Sequence, residues 1–364
     1  MAEANQVSWR GGVAGAVLAL AIVAVAAGAG YVLGWRITYQ PPTASCIVDD
    51  AIDGGTRHAL EQAALDFVNA ASGANPINAY GMLAADTKGA VTPDKFLAAM
   101  RPSLEAIAPL SDVHVVHTYF VRAASNGGAR QRVICGSLDQ TDRWVAVTAK
   151  PVPEQAHLIV DATAKGGHWA FVLWLVPESG WRVEGFNVAA TAMGGKTLDE
   201  MVAAARAQHD QHHDFNAVLL YGAAVRLATR GSDLQLGLES DIQSQIGKLP
   251  IPAYLQGKPP LNWKIGDSTY KIDNVGAAGV GDKLYLAITQ ELSPWHSDND
   301  ADTRNRTLIR DFVKAVPEYS AAFAGLILVA RDDTGAHAYR TVATNQAEVK
   351  PAATANEPAK PAGK

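Results

Sequence analysis

The sequence lacks the charge pattern of a nucleic-acid-binding protein. Lysine and arginine together number 31 against 36 aspartates and glutamates, which gives a net charge of −5. No basic patch with interleaved aromatic residues occurs, so nothing in the sequence supports nucleic acid as a partner. Charged residues make up only 18% of the chain, whereas 48% of it is hydrophobic. That share supports substantial buried cores, and the length of 364 residues leaves room for two domains.

Cysteine is also scarce, with only two residues in the chain. Cys135 follows Val133 and Ile134 in an apolar run, where a buried free thiol is the usual state. Cys46 lies in a proline-containing segment that we expect to be a linker. A disulfide between the two is the alternative in an oxidising compartment, although the geometry it needs cannot be deduced from sequence. We therefore expect a free buried thiol at Cys135.

Motifs for binding phosphate or calcium are missing as well. The glycines within residues 276–281 have the wrong spacing and context for a phosphate-binding loop. The three aspartates within 298–302 imitate the start of a calcium loop, but Thr303 replaces the required glycine and Ile309 replaces the bidentate glutamate. We expect Asp302 to cap the following helix instead. No cofactor is expected.

Two histidines form the remaining candidate for a metal site. His209 and His213 are four residues apart, which on a helix would place them on one face. The glutamate of the metalloprotease pattern is absent, and no third ligand is evident in the sequence. We therefore interpret the segment as a polar part of a long helix, with metal binding by His209 and His213 as the alternative.

What the sequence does contain is an uncharged run, residues 11–35, between Arg10 and Arg36. As a helix it would extend about 37 Å, more than the roughly 30 Å of bilayer hydrocarbon. A cleaved signal peptide is the alternative, since the small residues at 27–30 resemble a cleavage site. The apolar stretch continues to Trp35, however, beyond the length typical of a signal peptide. We predict an uncleaved transmembrane helix in the lipid bilayer.

The orientation of this helix is not set by its flanking charges, because Arg10 and Arg36 nearly cancel. A short N-terminal tail before a large body is typical of a single-pass protein with its body outside the cytoplasm. We expect a bacterial inner membrane location with the body on the periplasmic side. Small residues at four-residue spacing, such as Gly11 and Gly15, permit close helix pairing, although an Ala/Gly-rich span also produces them by chance. A homo-oligomer is a further expectation.

Changes in composition and the positions of proline and glycine pairs divide the chain into six segments. Pro41 and Pro42 mark a linker, the Gly194–Gly195 pair marks the start of a second domain, and the Pro/Ala/Lys/Glu composition from Gln346 onward predicts a disordered tail. The segments are a tail (1–10), the transmembrane helix (11–35), a linker (36–55), a first α+β domain (56–194), a second α+β domain with antiparallel strands (195–345) and a disordered tail (346–364).

The first domain is predicted to begin with helices and to end with strands. Thr56 is expected to cap the first helix, and Thr92 to cap another with Pro93 at its first position. Strands follow at 113–121, 132–138, 144–149 and 157–162. The strongest pattern is at 169–176 and 181–191, which we predict to be a hairpin with a four-residue connection. Its first strand is apolar on both faces and needs cover on both, with helices on one side and a partner on the other.

This order of elements resembles the nuclear-transport-factor-like superfamily, the cystatin-like α+β cone. The resemblance is carried by AYGMLAADTKGAVTPDKFLAAM at 79–100 and by GHWAFVLWLVPESGWRVEGFNV at 167–188. It covers roughly 56–194, less than half of the chain. It implies helices followed by a curved antiparallel sheet. Members of this superfamily include isomerases, dehydratases, membrane-anchored secretion subunits and binding domains, so the fold alone selects no function.

The resemblance also implies a pocket inside the cone. Its enzymes place acids, tyrosines or histidines there, and the corresponding candidates in this chain are Tyr80, Tyr119, His157, Asp161, His168 and Trp174. Asp161 is the candidate catalytic residue, because an acid in an apolar pocket would have a raised pKa suited to proton abstraction. The alternative is that Asp161 simply faces solvent from its strand.

The second domain is predicted to start with a capping box formed by Thr197 and Glu200. One long helix would run from Leu198 to Leu227, with Gly231 as its stop. A second helix is expected at 234–246 and a third at 303–316. Strands are predicted at 263–272 and 283–292, with the glycines of 276–281 in the connection, and at 323–331 and 338–342 as a closing hairpin. No family resemblance is evident for this half.

Three functional hypotheses follow. The first is a non-catalytic, membrane-anchored module that binds an envelope protein or a small apolar ligand, because no catalytic constellation is evident. The second is an enzyme that uses the cone pocket for proton-transfer chemistry of the isomerase or dehydratase kind. The third is a structural subunit of a secretion or division assembly.

Overall fold

A computed structural model describes residues 44–123, 129–139, 144–164 and 167–345. The protein is α+β and its sheets are antiparallel, as the sequence predicts, except for one parallel strand pair in the second unit. It divides into two compact units. The first comprises the described residues up to Ala190 together with Arg230–Gly237, and the second comprises Thr191–Thr229 together with the described residues from Leu238 onward.

Three of the predicted segments, 1–10, 11–35 and 346–364, lie outside the described residues. Within the residues that are described, no helix has both the length and the apolar character needed to cross a bilayer. The prediction of a linker over 36–55 is wrong from Ala44 onward. Residues Ala44–Val48 form a strand, and a helix already begins at Gly54.

Four helices open the first unit after its initial strand. Asp53, not Thr56, is the N-cap of the first helix, because its carboxylate accepts a hydrogen bond from Thr56 N at 3.0 Å. Thr92 and Pro93 hold the predicted cap and first-turn positions of the last helix, although no side-chain hydrogen bond closes that cap. The helices are α1 (Gly54–Ser72), α2 (Ile77–Gly81), α3 (Ala85–Ala90) and α4 (Pro93–Ile107).

Strands of the first unit form two sheets. In chain order the strands are β1 (Ala44–Val48), β2 (Leu110–Ala123), β3 (Gln131–Gly136), β4 (Trp144–Ala149), β5 (Glu154–Ala164), β6 (Gly167–Glu178) and β7 (Gly180–Ala190). The larger sheet is antiparallel throughout, in the order β1-β2-β5-β6-β7. The smaller sheet joins β3 and β4 to a later strand, β10 (Leu234–Leu236). This strand corrects the predicted helix at 234–246, whose first three residues are extended.

The predicted cover on both faces of β6 is confirmed. Phe171, Leu173 and Leu175 pack with α1 and α4 in an apolar core, whereas Ala170 and Val172 pack with the smaller sheet. The predicted four-residue connection between β6 and β7 is wrong, since the two strands pair up to Glu178 and Gly180.

A disulfide joins Cys46 of β1 to Cys135 of β3, with their Cα atoms 5.2 Å apart. The expectation of a free thiol at Cys135 is therefore wrong. The predicted burial of Cys135 is confirmed, since its exposed fraction is 1%. The alternative, a disulfide with Cys46, is the one that forms, because Cys46 belongs to a strand of the larger sheet and not to a linker.

The second unit begins with a small hairpin and two helices. Its first strands are β8 (Ala192–Met193) and β9 (Lys196–Thr197), joined by Gly194 and Gly195 with φ of 57° and 73°. Glycine suits this two-residue turn because both positions need positive φ. The capping box of Thr197 and Glu200 is confirmed. The helices are α5 (Leu198–Asp210), α6 (Asp214–Ala228) and α7 (Gly237–Ile246).

The single long helix predicted from Leu198 to Leu227 is therefore two helices. His212 has a φ of 61°, which interrupts the helical backbone between α5 and α6. No glycine or proline marks this break in the sequence, so the helical spacing of apolar residues hid it.

The five-stranded sheet of the second unit is mixed. Its order is β11-β12-β13-β14-β15, and the β13–β14 pair is parallel, with a helix between them in the chain that makes such a crossover feasible. The glycines at Gly276 and Gly279 lie within β12, not in the predicted connection. The remaining elements are β11 (Leu261–Ile265), β12 (Ser268–Val280), β13 (Lys283–Glu291), α8 (Asp298–Ala315), β14 (Gly325–Arg331) and β15 (Ala338–Thr344).

Asp302 does not cap a helix as predicted. Helix α8 starts earlier, at Asp298, and Ser297 is its N-cap. Asp302 instead accepts hydrogen bonds from Arg306 Nε at 2.7 Å and from Thr341 Oγ1 at 2.8 Å, and so ties α8 to β15.

Candidate functional site

The predicted pocket residues lie on opposite faces of the larger sheet in the first unit. Tyr80 belongs to the helix side, where its ring is 5.6 Å from that of Phe96 and its hydroxyl donates to Val91 O at 3.0 Å. Tyr119, His157 and Trp174 belong to the other side. The four residues therefore do not form one pocket.

The helix side of the sheet is a packed apolar core. Leu158 and Phe171 on the strands and Phe67 on α1 are each at most 1% exposed. This is the region to which the resemblance assigns the pocket of a cone. Here the described side chains that fill it are aliphatic and aromatic.

The candidate catalytic residue Asp161 is half-buried on β5, opposite His114 of β2 and Ala170 of β6. It is not among the residues that line the cavity described below. His168 is exposed near the start of β6. Tyr119 packs against the smaller sheet, where burial, with a further effect of the Asp49 charge, raises the pKa of its hydroxyl.

His157 and Trp174 do come together. They are cross-strand partners on β5 and β6, and their rings stack with centroids 5.2 Å apart. His157 Nε2 is 2.8 Å from the carbonyl oxygen of Thr148. Because a carbonyl can only accept, Nε2 must carry the proton, and Nδ1 of the neutral ring is an acceptor. Nδ1 is buried and has no hydrogen-bond partner among the described residues.

Burial controls the charge of this histidine. His157 has no solvent exposure, and this desolvation lowers its pKa to about 4, despite the opposing hydrogen bond to Thr148. The ring is therefore neutral at pH 7. A group with so low a pKa is a weak base, and this one is also out of reach of solvent.

Next to His157 and Trp174 is a cavity of about 100 Å³. Strand β7 contributes Asn187 to its lining, and the segment that leads into β10 contributes residues 230–233. Sequence reasoning missed this second contribution because the segment was assigned to a loop and helix of the second domain. The pairing of Leu234–Leu236 with β4 gives only three residue pairs, too few to produce a strand pattern in sequence.

A charged cluster lies close to Trp174. Glu184 occupies a β-bulge of β7, since Trp174 pairs with Gly185 while the next residue of β6 pairs with Val183. Its carboxylate is 2.7 Å from Lys150 Nζ, and the guanidinium of Arg130 lies over the Trp174 ring at 5.2 Å. Burial alone would lower the pKa of Lys150, but hydrogen bonds to Asp86 and Glu184 raise it overall. The amine thus stays charged.

Gln155 connects this cluster to the stacked rings. Its side-chain oxygen accepts from Trp174 Nε1 at 3.0 Å and from Lys150 N at 2.9 Å, and its amide donates to Lys150 O at 2.9 Å. These contacts fix the positions of the indole and of the strand that precedes β5. The polar groups of this cluster are therefore held by hydrogen bonds and ion pairs with one another, and the exposed carboxylate of Asp86 is paired with Lys150.

The two predicted metal ligands contact different side chains. His209 Nδ1 is 2.8 Å from Asp214 Oδ1, whereas His213 Nδ1 is 3.1 Å from Gln208 Oε1. The break between α5 and α6 places His213 outside the helix that contains His209. In the described part of the chain, no three His, Cys, Asp or Glu residues are grouped so that they could hold a metal ion.

Comparison with known proteins adds no assignment. No protein-family model matches the sequence, and neither a curated protein nor a solved structure matches it. The function therefore has to be inferred from the residues themselves.

Proposed function

We propose that this chain is a single-pass membrane protein whose two units lie on the extracytoplasmic side of the bacterial inner membrane. In this proposal residues 11–35 span the bilayer, and the body acts as a non-catalytic binding or scaffold module for an envelope protein. The observation that carries the proposal is the disulfide between Cys46 and Cys135. Disulfides persist in the periplasm and other oxidising compartments and are rare in the cytosol.

The position of this disulfide supports the proposal further. Cys46 follows the proposed span by only eleven residues, and β1, which contains it, is the first described element of the chain. The bond ties this strand covalently to β3. The part of the body that would receive force from the membrane anchor is thus cross-linked to a second sheet.

The site geometry favours binding of a protein over catalysis or capture of a small apolar ligand. The cavity beside His157 is about 100 Å³, below the roughly 300–1,000 Å³ of most small-molecule sites. Its histidine is neutral and inaccessible. A second concavity between the end of α1 and α4, of about 290 Å³, is open to one side and lined by both apolar and charged residues such as Met100 and Arg101.

We also propose that the first unit is nuclear-transport-factor-like. Support comes from the order of its elements, with helices α1–α4 ahead of most of the sheet, and from the antiparallel β5-β6-β7 meander packed on those helices. The strand β1 before α1 and the smaller sheet on the opposite face are additions to that expected pattern.

The location can be tested with two variants of the full chain, each with one added cysteine. Both native cysteines are consumed in the disulfide, so an added cysteine would be the only free thiol. Ser179→Cys, in the exposed turn between β6 and β7, should react with a membrane-impermeant maleimide in intact spheroplasts. Ser8→Cys, before the span, should react only after lysis.

The matched pair makes the outcome clear. Labelling of Ser8→Cys but not Ser179→Cys in intact spheroplasts would contradict the proposed orientation. Recovery of the wild-type chain in the soluble fraction, with an N-terminus beyond residue 35, would contradict the anchor itself.

A further inference from the structure

The second unit contains an arginine whose charge has no evident counterpart. Arg226 lies on α6 and is only partly exposed. Its Nη2 donates to Ala277 O of β12 at 2.6 Å and approaches Met193 Sδ of β8 at 3.9 Å. Its Nε is buried and has no hydrogen-bond partner among the described residues. The described contacts therefore hold the guanidinium through one nitrogen, Nη2.

No carboxylate compensates this charge in the part of the chain that the structure describes. Burial is the only influence that shifts the pKa of Arg226, and it lowers that pKa. Its side-chain contacts among the described residues are with a carbonyl oxygen and a thioether, neither of which carries a negative charge. A buried charge without a partner is costly, and a protein usually pairs it or neutralises it. Arginine is always protonated in proteins, so Arg226 cannot become neutral by losing a proton.

The backbone around this guanidinium is bare of side chains on one side. Gly276 of β12 is buried, and a Cβ there would lie only 3.2 Å from Arg226 Nη1. Glycine therefore lets the guanidinium of Arg226 lie directly against the backbone of β12. The β8–β9 hairpin, which supplies Met193, turns through Gly194 and Gly195 and likewise brings backbone close to β12, since a Cβ at Gly279 would meet Gly194 N at 2.6 Å.

We propose that Arg226 binds a small oxyanion, a carboxylate or phosphate group, through the donors that Ala277 leaves unused. The planar guanidinium fork matches the geometry of both groups. The anion would supply the missing hydrogen-bond acceptor for Nε and the missing negative charge. This site lies in the second unit and does not depend on the proposed membrane location.

The test uses the full chain in a mild non-ionic detergent, titrated with inorganic phosphate and separately with acetate. Chloride keeps the ionic strength constant, so that general screening does not contribute. We expect saturable binding by calorimetry and a Tm that rises by about 2 °C or more at ten times the Kd. The anion with the lower Kd identifies the preferred group.

Three variants separate this site from a general effect of charge. Arg226→Met should abolish the binding and the Tm rise, because the fork and the charge are both lost. Arg226→Lys, which keeps the charge without the fork, should weaken binding about tenfold or more. Arg310→Met removes an exposed arginine of the same unit, whose guanidinium pairs with the adjacent Asp311, and should leave the titration unchanged.

Should Arg226→Met fail to fold, Gly276→Ala provides the same test, because the added methyl group would crowd Nη1 and weaken anion binding while the charge stays. The proposal would be overturned if the wild-type chain shows no saturable response to either anion. It would also be overturned if a folded Arg226→Met protein, or Gly276→Ala, responds as the wild type does.

Discussion

The two faces of β5 and β6 differ sharply although the same two strands supply both. Toward the helices these strands present Leu158, Val160, Phe171 and Leu173, all within an apolar core. Toward the other side, which we call the polar face, they present His157 and Trp174 beside Gln155, in a polar cluster next to the cavity. This face also carries Ala170 and Val172, which pack with the smaller sheet. Because successive side chains of a strand alternate between faces, one sequence can specify two environments at once.

The two faces also differ in the kind of group that they bury. The helix face of these strands buries mostly hydrocarbon, which contributes about 25 cal/mol per Å² of apolar surface, although Trp169 Nε1 of β6 is buried there without a hydrogen-bond partner among the described residues. The opposite face buries a titratable group, His157, whose Nδ1 has no hydrogen-bond partner among the described residues, and such a group is costly. We infer that the helix face supplies stability, whereas the polar face makes that stability depend on pH.

The largest effect is expected on the helix face. Phe171→Ala should lower the free energy of unfolding by about 3–5 kcal/mol, because the phenyl ring is 1% exposed and its removal leaves a cavity in the core. Urea unfolding of the full chain in mild detergent, followed by tryptophan fluorescence, measures the change. A loss below about 1 kcal/mol would mean that this core collapses around the gap, and would remove the main contrast between the faces.

The disulfide bears on the contrast between the helix face and the polar face, since it holds the smaller sheet over the polar face. The double variant Cys46→Ala/Cys135→Ala should lose about 2–4 kcal/mol, because the bond closes a loop of 89 residues in the unfolded chain. The wild-type protein in a reducing agent should unfold at the same urea concentration as this variant. If reduction leaves the midpoint unchanged, the cover over the polar face does not need the bond.

The alternation of β6 was predictable once the continuous apolar run was interpreted as a strand, because successive side chains of a strand point to opposite faces. It correctly separated Phe171 and Leu173 from Val172 and Trp174. The need for cover on both faces followed from the same pattern. The α+β class and the capping box at Thr197 were likewise readable, since each depends on residues close in the chain.

What could not be predicted depends on contacts between distant residues. The pairing of Cys46 with Cys135 and the return of Leu234–Leu236 to the first unit both join segments about 90 residues apart. The prediction of a pocket was wrong for a related reason. To predict which residues line a pocket, one must know the face of the sheet on which each side chain lies. The two bulges in the β2–β5 pairing change that face for Tyr119.

His157 gives the polar face a pH dependence that the helix face lacks. Its pKa is lowered from 6.5 to about 4 by burial, so below pH 6.5 the unfolded chain takes up a proton that the folded protein excludes. The stability contributed by this exclusion is complete above pH 6.5 and is lost as the pH falls toward 4. The loss should amount to about 3 kcal/mol.

His157→Gln is the matched variant, because its amide can donate to Thr148 O in place of Nε2–H while carrying no titratable group. The measurement is the free energy of unfolding in urea at pH 7, 5.5 and 4 for both proteins. We expect the wild type to lose its advantage over the variant as the pH falls. A difference between them that stays constant over this range would show that His157 titrates normally in the folded protein.

The smallest effect is expected for Asp161, which lies on the polar face but outside the cavity. Its carboxylate is half-buried and makes no ion pair with any described residue. Asp161→Asn should therefore change the free energy of unfolding by less than about 0.5 kcal/mol, as for most surface substitutions.

The same variant tests the alternative of proton-transfer catalysis, in which Asp161 would be the base. Should an isomerase or dehydratase activity be found and fall by a hundredfold or more in Asp161→Asn, with stability unchanged, the polar face would be a catalytic surface. The contrast between the two faces would then be one of function as well as stability, because a base that is free of partners can be optimised for reaction where a buried core residue cannot.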